Sequence, residues 1–169
     1  MGKRHKCVPV AAIYCKQLNN AVIDVHVMGS YSNIMEILLD ASAIMAVIVK
    51  EPERDLVIQL TKEAVTVSPD MVSYEIANAL TKMMKKKIIG KEQMINAFNY
   101  FKQIPIKNIE IDIKRALEIA WAYKLYAYDA CYLEASKRFN LPLLTFDSTM
   151  IKTGSELGIK ILGGKNAGV

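Results

Sequence analysis

Histidine is almost missing from this chain. The only two, His5 and His26, both precede Met28, so the rest of the sequence holds no imidazole. That argues against a Ser-His-Asp triad, a Cys-His pair or a histidine general base. Cysteine is scarce too. Cys7, Cys15 and Cys131 form an odd set with no CxxC and no zinc-site spacing, which suits a reduced, cytoplasmic setting. No apolar run reaches the ~18 residues of a membrane span, because Asp40 interrupts the best candidate, ILLDASAIMAVI over 37–48. A soluble protein with no membrane partner is expected. Neither GxGxxG nor GxxxxGK[ST] occurs, which removes support for nucleotide-cofactor enzymes. Chemistry in this chain must rest on carboxylates, hydroxyls, lysines or a metal.

What the sequence does have is a globular balance, 52% hydrophobic and 23% charged, over a length that fits one substantial core. The net charge of +5 is unevenly placed. Residues 1–34 carry four cations against Asp24, a net +3, and leave +2 for the remainder. A modest positive excess is compatible with a nucleic-acid partner without establishing one. This first stretch begins MGKRHK and is read as an appended arm or a mis-assigned start. Met35 stands directly before the first strand. A domain over 35–163 and a tail over 164–169 complete the division.

From Met35 the chain alternates strands and helices. EILLDA is a buried strand, and SAIMAVIVK a helix that Ser42 is placed to cap. Pro52 opens the helix ERDLVIQLTK, and AVTVS is a second strand. Ser68 and Pro69 are read as N-cap and first residue of a long helix, DMVSYEIANALTKMMKKK, ended by Gly90. KEQMINAFNYFKQI is a helix, KNIEI a strand, and DIKRALEIAWAYK a helix begun at Asp112. The helix YDACYLEASKRF, the strand LPLLTF, the short helix DSTMIKTGSELG and the edge strand IKIL close the series. Repeated β-α units predict an α/β, three-layer fold: a central, mostly parallel sheet with helices on both faces.

In such a sheet chemistry gathers outside the carboxyl ends of the strands. Asp40 ends the first strand and Asp147 follows LLTF. The two would be neighbours if the strand order switches between them. Glu75 lies on the edge of the buried stripe defined by Val72, Ile76, Ala79 and Met83. Asp129 opens its helix with Leu133 and Ser136 on the same side. Each acid has a plainer role available: helix caps for Asp40 and Asp147, a dipole partner for Asp129, a lysine partner for Glu75.

Taken together, LLDASAI around Asp40, SYEIANAL around Glu75, YDACYLEAS around Asp129 and LLTFD around Asp147 resemble the PIN-domain ribonucleases, most closely the VapC-type toxins of toxin–antitoxin pairs. The likeness covers about residues 35–163 in order and spacing. It implies that Asp40, Glu75, Asp129 and Asp147 match an acidic quartet holding Mg²⁺ or Mn²⁺, with Ser42 and Thr145 at supporting hydroxyl positions. It also implies an RNA substrate cut with a metal-activated water, and an antitoxin whose basic side chain enters the acidic site. Hard oxygen donors without His or Cys agree with that choice of ion. On this reading the cation is what makes Asp40 tolerable in its apolar run.

Several other residues have two readings. Asn78, one turn after Glu75, either positions a metal water or caps a neighbour. The stretch KMMKKK over 82–87 is a solvated helix end, or else a contact for phosphates. Trp121, Tyr123, Tyr126 and Tyr128 are read as core and interface packing, with base stacking as the alternative. Exposed Met and aromatic residues after Glu75 would suit an antitoxin and also a homodimer. Among rival readings, a haloacid-dehalogenase-type phosphatase wants DxD, but Ser42 holds the second position. A receiver domain lacks its paired acids and late lysine. A non-catalytic PIN-like binding module is the alternative from another class.

Overall fold

The computed structural model describes residues 34–164. The arm with its histidines, Cys7, Cys15 and nearly all of the tail lie outside the described residues. Five strands and seven helices follow the predicted order: β1 (Glu36–Leu39), α1 (Ala41–Ile48), α2 (Arg54–Thr61), β2 (Val65–Pro69), α3 (Val72–Lys85), α4 (Lys91–Phe101), β3 (Ile106–Ile109), α5 (Ile113–Tyr123), α6 (Ala127–Phe139), β4 (Leu143–Leu144), α7 (Ser148–Glu156) and β5 (Ile161–Leu162). The sheet runs β3-β2-β1-β4-β5, and every pairing is parallel.

Alternation along β1 shows why the fold has three layers. Ile37 and Leu39 join a core with Ile44 of α1, Val57 of α2, Ile76 and Leu80 of α3 and Phe101 of α4. Leu38 points the other way, into a second core with Tyr132 and Leu133 of α6 and Met150 of α7. All three β1 residues are buried, as a strand covered on both faces must be. The order switches at β1. β2 lies on one side of it and β4, which arrives much later in the chain, on the other. Leu38 pairs with Leu143 and Leu39 with Leu144, so Asp40 and Thr145 leave the sheet side by side.

Four boundary expectations are corrected. Pro52 does not open α2, whose first residue is Arg54 with Glu53 as its N-cap. Ser42 does not cap α1; Asp40 does, accepting from Ala43 N at 2.9 Å. Ser68 and Pro69 do not start α3. They finish β2, with Ser68 Oγ donating to Leu39 O at 2.9 Å across the sheet. Ladder bonding and burial outweighed the local Ser-Pro signal. Gly90 does not stop α3 either. The chain leaves the helix at Lys86 and turns through Lys87 at φ 58°, and Gly90 is the N-cap of α4. Asp112 starts α5 as the sequence suggested, accepting from Arg115 N at 3.2 Å. No described helix is long and apolar enough to cross a membrane.

Candidate active site

The switch between β1 and β4 opens the sheet's carboxyl edge, and Asp40 sits in that opening, 3% exposed. Its partners are all on the chain. Ser42 Oγ donates to Oδ1 at 2.7 Å and lies 3.0 Å from Oδ2, while Thr145 Oγ1 donates to Oδ2 at 2.7 Å. With the Ala43 N–H these donors give both oxygens of the buried carboxylate hydrogen-bond partners. Burial still pushes the Asp40 carboxyl above the ordinary aspartate range, helped by the charge of Asp147, while the hydrogen bonds pull the other way.

The hydroxyls tie Asp40 to the next acid. Phe146 N donates to Ser42 Oγ at 2.9 Å, and Asp147 N donates to Thr145 Oγ1 at 3.1 Å. Asp147 is exposed and caps α7, its Oδ1 accepting from Met150 N at 2.9 Å. Capping and clustering therefore coincide at Asp40 and Asp147. Among the described residues Oδ2 of Asp147 accepts no hydrogen bond.

Glu75 and Asp129 face this pair from two helices. Glu75 stands in the first turn of α3 and accepts a hydrogen bond from the Tyr132 hydroxyl of α6. It makes no ion pair among the described residues, so the lysine partner is not realised. Desolvation raises the Glu75 carboxyl, the Tyr132 bond lowers it, and the charges of Asp40 and Asp129 raise it again. Asp129, in the first turn of α6, is raised by burial and by Asp147. Tyr132 is pushed far above a normal phenol by burial and by Glu75. Sequence reasoning passed over Tyr132. The available signal was its position three residues after Asp129, one turn along the same helix.

The four acids are thus electrostatic neighbours, and none pairs with a Lys or Arg among the described residues. Three are held above their normal carboxyl values, chiefly by burial and further by the charges of the neighbouring acids. Donor chemistry and charge fit a hard divalent cation. The acids do not form a closed cage, however: among the described residues no three His, Cys, Asp or Glu side chains are already drawn together tightly enough to hold an ion.

A cleft of about 420 Å³ opens beside the acids, with Ala41, Glu75, Asn78 and Asp129 in its wall. Two roomier clefts, of about 600 and 580 Å³, contain none of the four. Asn78 is exposed on that wall. Lys82 and Lys85–Lys87 are exposed at the end of α3, as a solvated helix end should be. The core reading for the aromatics is overturned at Trp121, Tyr126 and Tyr128, which are 78%, 84% and 54% exposed. Their helix turns carry few core contacts, because α5 buries only Ala116 and α6 starts its buried run at Ala130. Tyr123 is half-buried.

Comparison with known proteins gives a consistent picture. The family model described as PIN domain matches residues 37–156. Ribonuclease VapC3 of Pyrobaculum aerophilum is 26% identical over 118 residues, covering 67% of this chain and 90% of the relative. Ribonuclease VapC1 of Mycobacterium tuberculosis is also 26% identical over 118 residues, covering 68% and 88%. Two crystal structures share the fold. One, from Pyrobaculum aerophilum, has a TM-score of 0.57 at 22% identity, covering 74% of this chain and 96% of its own. The other, VapBC2 from Rickettsia felis bound to a DNA fragment from its promoter, has a TM-score of 0.57 at 17% identity, covering 76% and 98%.

Proposed function

The chain belongs to the PIN domain family, and from that premise we propose that it is a metal-dependent endoribonuclease whose site is Asp40, Glu75, Asp129 and Asp147. The observation that carries this reading is the convergence of four carboxylates, three of them raised, on the strand-order switch with no cationic partner among the described residues. The relatives named as ribonucleases support the choice of RNA.

The four carboxylates would hold Mg²⁺ or Mn²⁺, which when bound acidifies a water and offsets charge on a phosphate. The chain's own groups set the stage for that. Thr145 and Ser42 orient Asp40 through the bonds to its two oxygens. Tyr132 fixes Glu75 by donating to its Oε2, while Oε1 accepts no hydrogen bond among the described residues. The oxygens of Asp129 and Oδ2 of Asp147 carry no hydrogen bond among the described residues, so they are available to a ligand. Asn78, three residues after Glu75, stands on the same cleft wall as a neutral donor and acceptor.

A toxin role, with an antitoxin as partner, rests on the VapC names of the relatives. The direct test is incubation of purified protein with RNA in Mn²⁺. Wild type should cleave, leaving 5′-phosphate and 3′-hydroxyl ends, and EDTA should stop it. Asp40→Asn and Asp147→Asn should be inactive yet folded. Cyclic phosphate ends, or full activity in EDTA, would sink the reading. Growth arrest on expression, relieved by co-expression of a small partner, is the expected mark of a toxin; harmless expression of an RNA-cleaving protein would remove that part alone.

A further inference from the structure

We infer that Tyr74, Tyr126 and Tyr128 form a stacking platform that admits unpaired RNA to the acids, and that the lysines of α3 guide the strand to it. The inference rests on the ribonuclease reading for the identity of the ligand, and adds which residues of this chain receive the strand.

Three tyrosines line the same cleft as Glu75 and Asp129. Tyr74 and Tyr126 are the most exposed tyrosines of the cleft, at 75% and 84%, and Tyr128 is 54% exposed. Folding alone gives no reason for three large rings to stand in solvent around one opening of about 420 Å³. They come from both sides of it. Tyr74 precedes Glu75 in α3, while Tyr126 and Tyr128 belong to the start of α6, just before Asp129. A ring on each wall can take a base on either side of a phosphate held at the acids. Only an unpaired strand offers those base faces, because in a duplex they are already stacked and its sequence edges are deep in the groove.

Charge supplies the second, independent observation. Glu75, Asn78 and Lys82 recur at helical spacing along one side of α3, and the C-cap Lys86 follows four residues later. Lys82 lies seven residues past Glu75, about 10 Å along the axis, and it lines the cleft. Lys82, Lys85, Lys86 and Lys87 are exposed and none pairs with an acid among the described residues. A polyanion that leaves the acids along α3 therefore meets a row of unpaired cations. An apolar protein segment would have little use for this row, and an acidic peptide little use for the ring faces.

Binding and cleavage are measured separately, so that the two readings fail separately. Fluorescence anisotropy of the full chain with a short labelled single-stranded RNA is recorded in EDTA, where nothing is cut. Tyr74→Ala and Tyr126→Ala should each weaken binding about five- to one-hundred-fold, whereas Tyr74→Phe and Tyr126→Phe should keep most of the affinity, because stacking uses the ring. Lys82→Ala should reduce the slope of log affinity against log salt by about 0.7. The same RNA annealed to its complement should bind much more weakly than the single strand. Equal binding of the alanine variants and wild type, or of duplex and single strand, would overturn the platform even if RNA is cleaved in Mn²⁺. Unchanged RNA affinity together with loss of a co-expressed protein partner would assign the tyrosines to that partner and overturn it too. Tyrosine-dependent binding with no cleavage under any metal would uphold the platform and defeat the nuclease reading instead.

Discussion

Thr145 is fully buried, and its hydroxyl serves two acids at once, donating to Asp40 Oδ2 at 2.7 Å and accepting from Asp147 N at 3.1 Å. Thr145→Val keeps the shape and removes the hydroxyl. A buried carboxylate oxygen and a backbone N–H then lose their partners, at a cost of about 1–3 kcal/mol. The melting temperature should fall, and Thr145→Ser should recover most of it; a valine variant as stable as wild type would mean that water replaces the hydroxyl. Asp129 provides a test of sign. Asp40, Glu75 and Asp129 are raised above 3.8, 4.5 and 3.8, so the folded state holds these protons more tightly than the unfolded chain does. The stability they contribute is complete below those values and is lost as pH rises through the raised folded values. Asp129→Asn removes one titrating charge. In EDTA it should melt higher than wild type at neutral pH, and the gap should close in mild acid. A mutant that melts lower at every pH would show that Asp129 serves the dipole of α6 more than it suffers from its neighbours.

At the scale of the element, the site depends on how strands end. Gly163 follows β5 at φ 92°, and a Cβ there would meet Thr145 O at 2.7 Å. Backbone thus packs against the very residue that holds Asp40. Gly158, at φ 73°, would meet nothing within 4 Å. Gly158→Ala should cost only its backbone strain, roughly 1–2 kcal/mol, whereas Gly163→Ala adds a displacement of β4 and should melt lower and cleave more slowly. Equal melting temperatures would mean that the β5 end shifts freely. The starts of helices matter in the same way: α1 and α7 are both capped by acids of the site, so Asp40→Ala or Asp147→Ala mixes loss of a cap with loss of charge. Asparagine keeps the cap and is the informative change.

Across the whole molecule, the seven helices divide into two cores on a five-stranded sheet, and the acids lie where the two sides of the sheet part. On the proposed function, an ion bound there would touch residues from the β1–α1 junction, α3, α6 and the β4–α7 turn, all of which must be folded together. Mn²⁺ should therefore bind the native state alone. At a hundred times its dissociation constant it should add about 2.7 kcal/mol of stability, seen as a higher melting temperature in wild type and none in Asp40→Asn. A rise of the same size in both would place the ion elsewhere.

Element order was legible from sequence because its signals are local. Periodicity in α3 and α6, Asp112 before α5 and the apolar runs of β1 and β2 each act within a few residues. The positions of Asp40 and Asp147 at strand ends followed from the same reading. Which neighbours those acids meet did not. Thr145 reaches Asp40 across 105 positions and Tyr132 reaches Glu75 across 57, and no local rule anticipates either bond. The Ser68-Pro69 helix start was also lost to tertiary context, because the ladder with β3 and the bond to Leu39 O outweigh a capping preference. Exposure of Tyr74, Tyr126 and Tyr128 around one opening was likewise decided only in three dimensions, since an aromatic side chain reads the same in sequence whether it fills a core or rims a cleft. Sequence alone determined the inventory of acids and the strand ends and helices that carry them, through side-chain chemistry and short-range geometry. The tertiary structure decided their company, because packing two helical layers on a sheet with its order switched at β1 brings together residues that the chain keeps far apart.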